Sequence, residues 1–136
     1  MKNVLNQKVF YSDTDAYGVV WHGSYLRWME MGRVFFCEQL GYNLVDFQNQ
    51  DIVLPVTNIN IKYKAPAKLN DDIIIETSIE KFNTLSVTFK QLIKKEEKVL
   101  IEAFVDVVAV NNDGKLYRRM PLVLTEMFER ATNEIE

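Results

Sequence analysis

From residue 23 onward apolar residues recur at helical spacing. Tyr25, Trp28, Met29, Gly32, Phe35, Phe36 and Leu40 fall on one face. Leu26, Met31 and Val34 widen that face beyond an ordinary stripe. A helix apolar on most sides is ordinarily buried on most sides. Residues 23–40 are therefore predicted to form a central helix, roughly 27 Å long at ~1.5 Å per residue. Gly41 is placed to end it.

Elsewhere the pattern has period two. Residues 3–10 read as a short strand. Ile59, Ile61 and Tyr63 alternate with Asn58, Asn60 and Lys62. Ile73, Ile75, Thr77 and Ile79 alternate with Glu76, Ser78 and Glu80. Val87, Phe89 and Ile93 alternate with Thr88, Lys90 and Lys94, and residues 99–110 form a long β-branched run. One polar face per strand suits an antiparallel sheet covered on one side. Asp113-Gly114 is a hairpin signal, predicting a last short strand over 115–119. Pro121 suits the first turn of a helix that continues through Leu124, Met127, Phe128 and Ala131. The expected fold is α+β: an antiparallel sheet of five to six strands wrapped around the long central helix, with a short C-terminal helix. Residues 1–136 are expected to form a single domain, since no Pro/Gly/Ser-rich linker divides them.

Composition narrows the function classes. The 136 residues suffice for one core, and 48% apolar with 26% charged residues is globular rather than disordered. A net charge of −3 and a pI near 5.3 give no basic excess to drive binding to nucleic acid or an anionic membrane. The single cysteine, Cys37, cannot form an internal disulfide and reads as a buried small hydrophobe. One Cys and one His are too few soft ligands for a cysteine-centred metal site. Residues 1–9 are short and polar, and no stretch approaches the ~20 apolar residues of a membrane span. A cytoplasmic protein is expected.

The chemistry concentrates between Tyr11 and Arg33. Asp13 and Asp15 precede a glycine turn at Gly18, and the only histidine, His22, opens the central helix, followed by Gly23. The first amides of a helix lack internal partners and carry partial positive charge, so they can stabilise an oxyanion. A neighbouring carboxylate can attack a carbonyl or deprotonate a water that does. Taken alone, the two aspartates read more readily as turn or capping residues than as catalysts. The spacing supports a candidate acyl-transfer site near residue 15 and no more.

A longer pattern sharpens this. Tyr11, Asp13, Thr14, Asp15, Gly18, Val19, Val20, Trp21, His22, Tyr25, Glu30 and Arg33 resemble the signature of the 4-hydroxybenzoyl-CoA thioesterase family of hotdog proteins, in particular its YbgC-type acyl-CoA thioesterases. Tyr63 to Asp71, YKAPAKLND, is similar to a second family motif. The resemblance covers nearly the whole chain. It implies hydrolysis of an acyl-CoA thioester without metal or cofactor, with Asp15 as the catalytic carboxylate, either nucleophile or general base. It further implies that the backbone N–H groups of His22 and Gly23 serve the thioester carbonyl, with the His22 side chain orienting water or substrate. Tyr17, Tyr25, Lys62, Lys64 and Lys68 are candidate substrate contacts, the lysines for the CoA phosphates. The family pairs sheets edge to edge, with acyl-CoA across the interface, so a homodimer or homotetramer is implied. Two positions depart from the family pattern: Tyr17 stands where relatives often have a small residue, which would narrow the pocket, and Asn70 replaces an acidic residue. Two other readings compete: a hotdog hydratase or dehydratase acting on 3-hydroxyacyl thioesters, and a non-catalytic protein that binds acyl-carrier protein or an envelope-associated partner.

Overall fold

The structure, a computed structural model, describes residues 1–133. In chain order the elements are β1 (Lys2–Lys8), α1 (His22–Gln39), α2 (Leu44–Asn49), β2 (Val56–Tyr63), β3 (Asp72–Phe82), β4 (Ser86–Lys95), β5 (Lys98–Val108) and α3 (Leu122–Asn133). A single 3₁₀ turn, Tyr11–Asp13, succeeds β1. The five strands form one antiparallel sheet in the order β1-β3-β4-β5-β2, which leaves β1 and β2 as its edges. This is the hotdog architecture: one sheet curled against one long helix.

α1 lies across β1, β3 and β4. Tyr25, Trp28, Met29, Gly32 and Phe36 are its buried face, set against buried Ile75, Phe89, Ile93 and Ile101 of the sheet. Phe128 of α3 extends the same core, packing on Phe82 and Phe89. Beneath α1, buried Gln91 of β4 donates to the Met29 carbonyl at 2.8 Å and to Thr77 Oγ1 at 2.9 Å, and accepts from Arg33 at 3.0 Å. A polar group in the core is thereby satisfied by the helix, the next strand and a cation.

Four features differ from the sequence-based expectation. The helix is buried along one face, not on most sides: Leu26 and Met31 are exposed, and Val34 and Phe35 are half-buried. One sheet layer can cover only one side of a helix, so the apolar excess stays at the surface of the single chain. Residues 115–119 form no strand, so the sheet has the lower of the expected five to six strands. The Gly114 turn does form (φ +84°), but pairing beyond it stops at the Asn111 N–H to Lys115, a Val110–Leu116 bridge and the Tyr117 N–H to Ala109. α2 was not expected. Its N-terminus is capped by Asn43, which accepts the Asp46 N–H at 2.9 Å, and Phe47 is its one buried anchor. β2 alternates in sequence, yet only Ile61 among its residues is even half-buried, because it lies at an edge of the sheet that α1 meets mainly through the Tyr25–Tyr63 ring contact.

Gly41 ends α1 as expected. At φ +92° it donates to the Glu38 carbonyl, and Tyr42 donates to that of Cys37, which closes a Schellman motif.

Candidate active site

Asp15 opens a tight turn. Its carbonyl accepts the Gly18 N–H at 3.1 Å, and its own N–H donates to the Val19 carbonyl at 2.8 Å. Gly18 has φ +78°, the left-handed conformation that a three-residue hairpin loop with a glycine bulge requires. One Asp15 carboxylate oxygen accepts the Tyr17 N–H at 2.8 Å, an Asx turn. That is the carboxylate's only hydrogen bond among the described residues. The turn reading and the catalytic reading of Asp15 therefore coexist: one oxygen holds the turn and the other is available.

The hairpin leads directly into α1. Trp21 occupies the N-cap position and offers no side-chain acceptor to the helix. The Ser24 N–H turns back to the Trp21 carbonyl at 2.9 Å. Among the described residues no hydrogen bond takes up the N–H groups of His22 and Gly23, which remain at the positive end of the helix dipole. The Trp21 indole folds over Gly23 so closely that a Cβ there would stand 2.1 Å from the ring. Glycine at 23 is thus what lets the Trp21 ring lie against the helix start.

Asp15, Val20, His22, Tyr25, Tyr63, Lys64, Ala65 and Pro66 line one cleft of 370 Å³. The fold brings the carboxylate turn, the uncapped helix end and the Tyr63–Pro66 segment together. Tyr25 ties two of them: its hydroxyl accepts the Ala67 N–H at 2.8 Å, while the Ala67 carbonyl accepts the Val20 N–H at 3.0 Å. Burial pushes the Tyr25 phenol above its ordinary range, the Ala67 bond pulls it back, and the charges of Tyr63 and Asp71 push it up again. The net shift is upward, so Tyr25 stays neutral and polar.

Not every candidate converges. Lys64 is in the cleft, but Lys62 and Lys68 are outside its lining. Lys62 precedes Tyr63 on β2 and so points to the opposite face. Tyr17 is 91% exposed at the tip of the turn, and the narrowing expected of it does not occur within this chain. Asn70 adopts φ +69°, a conformation that Asn tolerates well. Sequence reasoning missed the cleft walls Tyr63, Ala65 and Pro66, although they belong to the second family motif. It also missed Arg27. Its guanidinium bonds to the buried carboxylate of Asp13, which accepts the Phe10 N–H as well, at 2.9 Å.

Among the described residues no three or more His, Cys, Asp or Glu side chains are grouped to hold a metal ion. No described helix is long and apolar enough to cross a membrane.

Comparison with known proteins identifies the family and the fold. The thioesterase-like superfamily profile matches residues 9–130. The chain is 32% identical over 124 residues to the acyl-CoA thioester hydrolase YbgC of Escherichia coli, covering 90% of this chain and 92% of that one. It is 30% identical over 105 residues to the acyl-CoA thioesterase YbgC of Haemophilus influenzae, covering 76% and 77% of the two chains. The crystal structure of a DHNA-CoA thioesterase from Staphylococcus aureus matches with a TM-score of 0.88 at 24% identity, over 96% of this chain and 91% of that one.

Proposed function

The chain belongs to the thioesterase-like superfamily, and from that premise we propose that it hydrolyses an acyl-CoA thioester to the free acid and CoA, with Asp15 as the working carboxylate. The observation that carries this reading is that Asp15 and His22, the first residue of the uncapped helix α1, line one cleft. The thioester carbonyl oxygen accepts the N–H groups of His22 and Gly23. Those donors gain strength as the oxygen becomes an oxyanion, which is where catalysis needs them. Asp15 either adds to the carbonyl carbon or takes a proton from a water that adds. Collapse of the tetrahedral adduct breaks the C–S bond and releases CoA thiolate. In the nucleophilic route a water then cleaves the acyl-aspartyl anhydride.

The working unit in this proposal is a homodimer. β2 is an open edge carrying exposed Val56, Ile59 and Tyr63, an arrangement that monomeric sheets usually avoid. Two copies paired through β2 about a two-fold axis run antiparallel, which sets the Val56 end of one strand beside the Tyr63 end of the other. The groove lined by Val34, Leu54, Val56 and Phe89 in one protomer then adjoins the Asp15 cleft of the other and receives the acyl group. Lys64 at the cleft faces the CoA phosphates. The outward apolar face of α1 (Leu26, Met31, Val34, Phe35) supports pairing of dimers into a tetramer. A cytoplasmic location fits the CoA substrate and Cys37, which is free and buried.

Thiol release from short, long, aromatic and branched acyl-CoAs, alongside the same acyl groups on carrier protein, tests the reading. Release from a CoA thioester is the expected result. No release by folded protein from any of them would exclude it, and the best substrate would fix the acyl class.

A further inference from the structure

We infer that Arg27 is a positioning residue for this reaction: by gripping the buried carboxylate of Asp13 it fixes the hairpin that carries Asp15. The inference deepens the hydrolase reading and rests on it.

Asp13 is the anchor of the hairpin. It is 2% exposed. Its carboxylate takes the Phe10 N–H on one oxygen and the Arg27 guanidinium on the other. Its carbonyl takes the Trp21 N–H at 2.8 Å and the Ser24 hydroxyl at 3.2 Å. The carboxylate is thus held between the exit of β1 and the second turn of α1.

Asp15 has no comparable hold. Among the described residues its carboxylate bonds only to Tyr17, inside the same small turn, and nothing else ties that side chain to α1. Backbone bonds to Val19 and the Thr14–Val20 bridge shape the hairpin itself, and Asp13, two residues from Asp15, supplies the side-chain tie from its base to α1.

Arg27 and the amides of His22 and Gly23 lie within the first two turns of one helix. A single rigid body carries both the oxyanion donors and the clamp on the carboxylate loop. A buried carboxylate deprived of its cation must find water or move. Either outcome shifts the base of the hairpin. A displacement near 1 Å costs as much as ~10²-fold in rate when it falls between reacting groups. Arg27 does not line the cleft, so its loss should act on turnover and not on substrate affinity.

The test uses Arg27→Ala and Arg27→Lys of the full chain, assayed well below their unfolding midpoints. Arg27→Ala should lower kcat about 10- to 100-fold, with KM within about three-fold of wild type. Millimolar guanidinium should restore part of that kcat, since the Arg27 side chain is 57% exposed and its vacated site is open to solvent. Arg27→Lys should fall between the two. A folded Arg27→Ala protein whose kcat stays within about two-fold of wild type would overturn the inference alone. So would a loss that neither lysine nor guanidinium relieves, because that pattern belongs to general destabilisation. Wild type that is folded but releases no thiol would overturn the hydrolase reading and this inference with it.

Discussion

Gly32 on α1 stands so close to Thr77 on β3 that a Cβ at residue 32 would lie 2.7 Å from the threonine Oγ1. The same Cβ would meet Ile75 Cγ2 at 2.9 Å and Gln91 Nε2 at 3.0 Å. None of these neighbours yields easily, because Thr77 and Gln91 are bonded to each other and Gln91 is bonded to the helix backbone. Alanine is the better helix former by about 1 kcal/mol, yet overpacking this contact should cost about 1–3 kcal/mol. Gly32→Ala is expected to be less stable than wild type, with a lower denaturation midpoint and an unchanged m-value.

Asp15→Asn should separate chemistry from folding. Asparagine can still accept the Tyr17 N–H through its side-chain oxygen, so the turn survives. It can neither attack as a carboxylate nor take a proton from water. Turnover should fall by about 10²-fold or more, while the thermal midpoint stays near that of wild type. Equal turnover in the two proteins would remove Asp15 from the mechanism.

Gly23→Ala should act through Trp21. The added methyl collides with the indole, which must swing away from the helix end or push the first turn out of place. The first movement uncovers the helix end and the second shifts its two free amides. The expected outcome is a fall in kcat/KM across all substrates alike, measured by thiol release. A fall confined to bulky acyl groups would instead show that Trp21 only shapes the pocket.

Cys37 gives a pH prediction. Burial, partly offset by the charge of Arg33 and reinforced by Glu38, pushes its thiol up to about 12. A group whose folded pKa is raised stabilises the fold fully below its unfolded pKa, here near 9, and loses that contribution as pH rises toward the folded value. Above roughly pH 9 the unfolded chain sheds a proton that the folded chain keeps, so stability should fall by about 1.4 kcal/mol per pH unit from this group. Urea titrations from pH 8 to 10 should show the slope in wild type and a shallower one in Cys37→Ala.

The long helix and all five strands of the sheet were legible, most of them because their pattern runs for many residues. The Tyr11–Arg33 pattern also located the carboxylate and the helix start, and the structure joins them in one cleft. The extent of burial around α1 was not legible: the pattern at Leu26, Met31 and Val34 reports apolarity without saying what covers it. α2 escaped because its six residues make less than two turns, with Phe47 as its only buried side chain. The strand predicted over 115–119 failed because a good turn at Asp113-Gly114 does not oblige the next residues to pair. Arg27 was invisible for another reason. It lies fourteen positions from Asp13 and on the exposed flank of the helix, and only folding reveals that it reaches back to the loop.

The two tryptophans occupy opposite settings. Trp28 is fully buried, edge-on to Tyr25, whereas Trp21 is half-exposed above Gly23 and against the ring of His22, a residue of the cleft. Emission from Trp28 tracks the integrity of the core. Emission from Trp21, within reach of aqueous quenchers, tracks whatever arrives at the helix end. The molecule thus carries two native optical channels, one for unfolding and one for occupancy, separable with iodide and without any added label.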